Sequence, residues 1–351
     1  MSRACSVLAL GALVALVVGG VPLASAISPP LALGTVGNVQ TIACPAGSGA
    51  NSYCKSGTIT ASGVAPLVFN IKVSTPGVYN GTVVLHSGGG GTSYFDQGYL
   101  SAYYSAKYRV VQIRWATQWE DTGLSAKSIL TAAVRPATLV NYIWSAITGG
   151  TRSQPFGFHG HSGGSGVGGY LLSTYGLDAI LDAVLLSAGP VFGDISIGCQ
   201  RSSSTVTVCP DGQYGCAFTP GFANDPRYGG SSGSCGLSSG LGLWTGIKCN
   251  CGTYTPTPAD VSAWKEMSVT ATGADYTYPK TAVSQWVCDG STTSPNNSPG
   301  QAQFFGGHFE AGSSAAFVQV LVAGCSGAED IWTTGFAASL AQMTAHMVPR
   351  H

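Results

Sequence analysis

Short apolar runs alternate with longer stretches of helical period along most of the chain. Thr82–His86, Arg109–Trp115, Phe156–His161, Ala183–Ser187 and Ala282–Cys288 read as strands, as does 317–323. Between them, residues 132–147 space Leu139, Val140, Ile143, Trp144 and Ile147 at helical intervals, with Pro136 in the first turns, where a missing N–H does least harm. Further helices are expected over 166–174, 258–269 and 300–310. A last one carries the stripe Phe336, Leu340, Met343 and Met347, the mark of core packing. Residues 58–62 and 67–74 look like an opening antiparallel pair. The pattern predicts an α/β fold: a mostly parallel central sheet with helices on both faces. No internal repeat is present.

Residues 199–255 break this alternation with six cysteines, many glycines and almost no periodicity. A stretch of that length without regular elements reads as a disulfide-tied insertion or an active-site lid. Tyr214, Phe218, Phe222, Tyr228 and Trp244 would let it roof a pocket; the plainer alternative is stabilising decoration. The expected organisation is therefore a leader over 1–26, a first core part over 27–198, the insertion over 199–255 and a second core part over 256–351.

The leader is read from Arg3, the apolar run from Val7 to Val18 and the small-x-small pattern Ala24-Ser25-Ala26, which together read as a secretory signal peptide, with a retained membrane anchor, interrupted by Gly19, Gly20 and Pro22, as the plainer alternative. No later run reaches the roughly 18 apolar residues that a spanning helix needs. The mature chain is expected to be exported, with no membrane association after signal removal. Charge narrows the partners further. Lys+Arg and Asp+Glu both number 15 and only 9% of residues are charged, so the basic clusters that nucleic acid requires are absent from the composition.

Removing Cys5 with the leader leaves ten of the 11 cysteines, an even count that suits disulfides in an exported protein. Cys44 with Cys54 is a local bridge candidate, and Cys288 with Cys325 would join two adjacent strand ends. Zinc is the rival reading of Cys249-Asn250-Cys251, but the spacing is not C-x-x-C and no histidine lies between His161 and His308. No metal and no cofactor are implied.

The chemistry concentrates in Gly160-His161-Ser162-Gly163-Gly164, a G-x-S-x-G pattern between a predicted strand and a predicted helix. Glycines around a serine on so sharp a turn leave room for its hydroxyl to stand at the carboxyl end of the sheet. A second glycine turn, His86-Ser87-Gly88-Gly89-Gly90-Gly91, ends a neighbouring strand, where backbone N–H groups can approach a developing oxyanion. Two such turns at adjacent carboxyl ends are where an open sheet binds its ligand.

On these two motifs the chain resembles the α/β-hydrolase family over most of its length, from about Thr58 to Met347. The resemblance implies Ser162 as nucleophile, with Gly163 and the loop holding His86, Gly88 and Gly89 as the oxyanion and substrate-binding side. Here Ser87 is inserted after the histidine of the family's H-G-G-G pattern. The family order of serine, acid, histidine implies Asp289 as the acid, at the end of Ala282–Cys288, with Asp194 as runner-up. The base is then His308, within Gly306-Gly307-His308-Phe309-Glu310. The departure lies after the last predicted strand, where Cys325-Ser326-Gly327-Ala328-Glu329-Asp330 carries no histidine. Either that strand lies nearer Phe304, or His308 reaches the serine from an unusual segment, or the triad is incomplete. His159 and His161 read as packing or pocket lining.

The resulting expectation is a secreted serine hydrolase that cleaves a carboxylic ester through an acyl-enzyme on Ser162. Low charge in an aromatic-rich chain points to a small neutral ester or a neutral polymer. Two alternatives remain open. One is a serine peptidase, since Ser162-Gly163-Gly164 with His86 and Asp96 or Asp121 upstream has a chymotrypsin-like look that the helix–strand alternation contradicts. The other is a non-catalytic secreted binding protein on a hydrolase scaffold.

Overall fold

The computed structural model describes residues 30–49, 51–95, 98–121, 123, 128–196, 257–288, 299–309, 316–325, 331 and 333–350. The leader, the whole of the insertion and Asp289 lie outside them. Among the described residues nine strands form one sheet, in the order β1-β2-β3-β5-β4-β6-β7-β8-β9. They are β1 Thr35–Ile42, β2 Ser52–Ala61, β3 Val64–Ser74, β4 Thr82–His86, β5 Arg109–Trp115, β6 Phe156–His161, β7 Ala183–Ser187, β8 Ala282–Cys288 and β9 Ala316–Val322. The first three pair antiparallel, as does β3 with β5, while every pairing from β5 across to β9 is parallel. This is the mostly parallel sheet that the alternation predicts, and its topology has no place for the two barrels of a chymotrypsin-like peptidase.

Helices cover both faces: α1 Tyr99–Ser105, α2 Ile129–Ala132, α3 Val134–Tyr142, α4 Gly163–Ser173, α5 Pro258–Met267, α6 Pro299–Gly307 and α7 Phe336–His346. Because side chains alternate along a strand, each central strand feeds two cores. Val84, Val111, Phe158, Val184 and Val283 pack with Leu139 and Val140 of α3 and Val167 and Leu171 of α4. Val83, Leu85, Val110 and Leu185 face the other way, onto Tyr99 and Tyr103 of α1 and Met343 of α7. The α7 stripe therefore lies in the second core, as its spacing predicts. Gly157 makes room for it, since a Cβ there would fall 2.4 Å from Met347 Sδ.

Strand limits match the pattern closely, and the differences have physical causes. The 132–147 segment splits into α2, α3 and a π-helical turn over Ile143–Ile147, and Pro136 sits third in α3. Strand β1 escapes the pattern because it is an edge strand exposed along most of its length, so no alternation marks it. Helix α1 also escapes the pattern; its Tyr-rich sequence is short and carries no side-chain cap.

Both expected bridges between described cysteines are present. Cys44 joins Cys54 with Cα atoms 5.2 Å apart, and Cys288 joins Cys325 at 5.4 Å, tying the carboxyl ends of β8 and β9. The second closes a loop with a sequence separation of 37. Loop-closure entropy then predicts that the paired change Cys288→Ser with Cys325→Ser lowers stability by about 2–4 kcal/mol. A denaturant midpoint unchanged from the parent protein would contradict this.

Candidate active site

The carboxyl ends of the parallel strands line up at one edge, where His86 ends β4, His161 ends β6 and Ser187 ends β7. Ser162 follows as the first residue outside β6, and its N–H donates to Ser187 O at 2.8 Å, extending the ladder by one step. There the chain reverses into α4. Ser162 takes φ 51° and ψ −114°, a region that side chains rarely adopt, and its side chain makes no capping hydrogen bond. A serine at a helix N-cap ordinarily uses its oxygen to accept from the first turn. Here the hydroxyl is withheld from that task and stays partly exposed.

Steric exclusion explains the flanking glycines. A Cβ on Gly160 would stand 2.0 Å from Gly164 O, and one on Gly164 would stand 2.2 Å from His86 O. The elbow and the second glycine turn thus interlock with backbone against backbone. A Cβ on Gly88 would lie 3.2 Å from Ser162 Cβ, which puts Gly88 directly against the serine. The turn is fixed from below. Gly91 N–H donates to Gly88 O at 3.2 Å, while Trp115 and Trp119 N–H groups donate to Gly91 O and Gly90 O at 2.9 and 3.1 Å. Gly89 and Gly91 have φ of 58° and 72°, which glycine adopts without strain.

His86 holds this turn rather than facing the solvent side of it. Its ring is fully buried, and Trp115 Nε1–H donates to His86 Nε2 at 2.9 Å. Nδ1 must then carry the proton and donate to Ser87 O, also 2.9 Å away. Burial pushes the imidazole pKa down to about 4, against a smaller upward pull from the Ser87 carbonyl, so the ring is neutral near pH 7. Both nitrogens are engaged with protein.

Beneath the serine runs a buried polar chain that sequence reasoning did not assemble. Tyr103 Oη lies 3.2 Å from His159 Nδ1, and His159 Nε2 lies 3.0 Å from Ser187 Oγ. Ser187 Oγ in turn lies 3.1 Å from His161 Nδ1. Burial, reinforced by the neighbouring His161, drives the His159 pKa well below the usual histidine value. The one signal in the sequence was Ser187 itself, a polar residue closing an apolar run at the edge where Ser162 stands.

The structure does not bring His308 to Ser162. The His308 ring stacks on Tyr276 with centroids 4.8 Å apart, and Phe309 stacks on Phe317, the second residue of β9. Tyr276 follows Asp275, whose N–H donates to Ser173 O at the far end of α4. An 11-residue helix separates that end from Ser162, about 16 Å of rise. His308 thus belongs to the amino edge of the sheet, because α6 runs antiparallel to the strands and delivers its last turn there. Asp194 is buried, accepts from Ser196 Oγ at 2.5 Å, and is clamped through its backbone by Gln301. With burial, its carboxylate helps push the Tyr276 hydroxyl upward, so Asp194 and His308 share a neighbour in Tyr276. His346, beside Arg350, is also at the amino edge, where Arg350 N–H donates to Asp182 Oδ1. Among the described histidines only His86, His159 and His161 stand near the serine. Asp289 lies outside the described residues.

No protein-family model and no curated protein matches this chain. Its structure superposes on acetyl xylan esterase 1 from Thermoanaerobacterium with a TM-score of 0.53 and 10% identity, covering 89% of this chain and 88% of that one. Esterases from Pyrococcus furiosus and Pyrobaculum calidifontis each give a TM-score of 0.47, at 9% and 13% identity. They span 92% and 88% of this chain, and 97% and 85% of their own; at that likeness they add nothing to the reading. The likeness is one of fold, and the chain has the α/β-hydrolase fold.

Placement of His308 at the amino edge generates a direct expectation. His308→Ala removes a ring stacked on Tyr276 and is expected to cost about 1 kcal/mol of stability, and to leave any reactivity of Ser162 toward a fluorophosphonate unchanged. Loss of that reactivity in a folded variant would return the ring to the site.

Proposed function

We propose that this chain is an exported serine hydrolase that cleaves neutral carboxylic esters through an acyl-enzyme on Ser162. The observation that carries the reading is Ser162 itself: strained, partly exposed, excused from capping α4, and set against Gly88. Strain of this kind persists only where surrounding structure enforces it, and it clusters at reacting groups. Ala188, next to the end of β7, is a second non-glycine residue held at positive φ, 57°, on the same edge.

In the proposed reaction Ser162 Oγ attacks the ester carbonyl, and the carbonyl oxygen takes the negative charge. Gly163 opens α4, where first-turn N–H groups have no intrahelical acceptor. Together with the N–H groups of Gly88 and Gly89 it forms the oxyanion side, and the positive end of α4 adds to the attraction. Asp289 keeps its candidacy as acid by chain position, immediately after β8. Export follows from the leader and accords with the two disulfides; among the described residues no helix is long and apolar enough to cross a membrane.

A second reading, a binding protein on a hydrolase scaffold, is favoured by the placement of His308 away from the serine. The two separate in one experiment. A fluorophosphonate is expected to label the native protein at Ser162 and leave Ser162→Ala unlabelled, with the variant equally stable and without turnover of short-chain nitrophenyl esters. Native protein that folds and takes no label would establish the scaffold reading.

A further inference from the structure

Resting on the hydrolase reading above, we infer that Lys72, Tyr94 and Arg114 form a subsite for a carboxylate of the substrate, on a part of the molecule remote from the ester cleaved at Ser162. Lys72 of β3 and Arg114 of β5 both approach the Tyr94 ring, with Nζ 5.2 Å and Cζ 6.0 Å from its centroid. Lys72 pairs with Gln112, and Arg114 stands two residues further along β5, so strand alternation puts both side chains on one face of the sheet. Val110, of the same parity, packs there with Tyr99 and Tyr103 of α1. The segment bearing Tyr94 is pinned on either side of it. Ser87 Oγ donates to Ser93 O at 2.7 Å, and Gln112 Nε2 donates to Phe95 O.

These two cations are used differently from the rest. Arg109, Arg135 and Arg152 spend guanidinium N–H groups on the backbone carbonyls of Ile147, Ala65 and Ala179. Arg114 is exposed, and among the described residues neither it nor Lys72 has an ion pair. Lys72 is only 8% exposed, its stem packed away and its ammonium left at a tyrosine face. A ring face satisfies a cation only in part. A carboxylate supplies the acceptors that both lack: Arg114 offers paired N–H groups matched to its two oxygens, and Lys72 a point charge. Burial, against a smaller pull from Arg114, raises the Tyr94 hydroxyl above its ordinary value, so it stays protonated and able to donate.

Register places this subsite beside the elbow. Ile113 lies opposite His86, and His86 opposite Gly160, so Arg114 is level with His161, one residue short of Ser162. The steps from β5 to β4 and from β4 to β6 separate the two by about 10 Å. The substrate class is thereby narrowed. The bond cleaved is a neutral ester, and the molecule that bears it carries an acid at the far end of a spacer of that order.

Two matched pairs of esters test this, each read as a ratio of kcat/KM within one protein, which a general loss of stability or activity leaves unmoved. Nitrophenyl hydrogen suberate against nitrophenyl methyl suberate puts the acid on the acyl side. The acetate ester of ω-hydroxyoctanoate against its methyl ester puts the acid on the alcohol side. The native protein is expected to favour the acid about tenfold in at least one pair, through KM, and less so as salt screens the charges. Loss of that preference in folded Arg114→Gln or Lys72→Met assigns the carboxylate to this subsite. Equal handling of acid and methyl ester in both pairs, or a preference that survives in both variants, overturns the subsite and leaves Ser162 as nucleophile. Native protein that turns over none of these esters and takes no fluorophosphonate overturns the hydrolase reading, and the subsite with it.

Discussion

The exclusion of side-chain carbon between the two glycine turns is the constraint on which the site depends. Gly160 against Gly164, Gly164 against His86 O, and Gly88 against Ser162 are three successive approaches too close for a Cβ, or nearly so. Together they press the carboxyl ends of β4 and β6 into contact and leave Ser162 no relaxed conformation. Strain at one residue costs on the order of 1–3 kcal/mol, and the surroundings that hold it are correspondingly stiff. Strands β4, β6 and β7 are buried along their whole length, with tyrosines, tryptophans and branched aliphatics on both faces.

That stiffness extends to the polar groups under the elbow. Two imidazoles, a phenol and a hydroxyl are buried there, each of which would be costly without a partner. The chain from Tyr103 through His159 and Ser187 to His161 satisfies them in series. Phe95 and Tyr99 pack edgewise on the His159 ring, with centroids at 5.0 and 4.5 Å, so it stays neutral and fixed. A network of hydrogen bonds suits a protein with so few charges. It holds geometry by hydrogen-bond direction and packing, which salt does not screen.

Much of this was legible in the chain. Buried strands announce themselves as short apolar runs, and five of them match the structure to the residue, because helices on both faces leave their ends no tolerance. The G-x-S-x-G turn and the glycine turn after His86 were legible for the same reason: only glycine fits. Edge strand β1 and helix α1 were not, since exposure removes the alternation that marks a strand and seven residues are too few to show a helical stripe. The strained turn at Ser162 could be picked out because its constraint is local. His308 was misplaced because family order assigns a base by chain position, whereas reach is decided by which way α6 runs.

The site therefore separates two requirements that chain order joins together. A nucleophile needs a strained turn, which sequence encodes within five residues. A base needs an oriented lone pair at the same edge, which any element reaching that edge can supply. Strand β7 ends at that edge in register with β6, Ser187 opposite His161, and its last carbonyl takes the N–H of Ser162 and so carries the ladder one step past the strand. Parallel pairing of β6 with β7 is thus what couples the fold to the chemistry proposed for it.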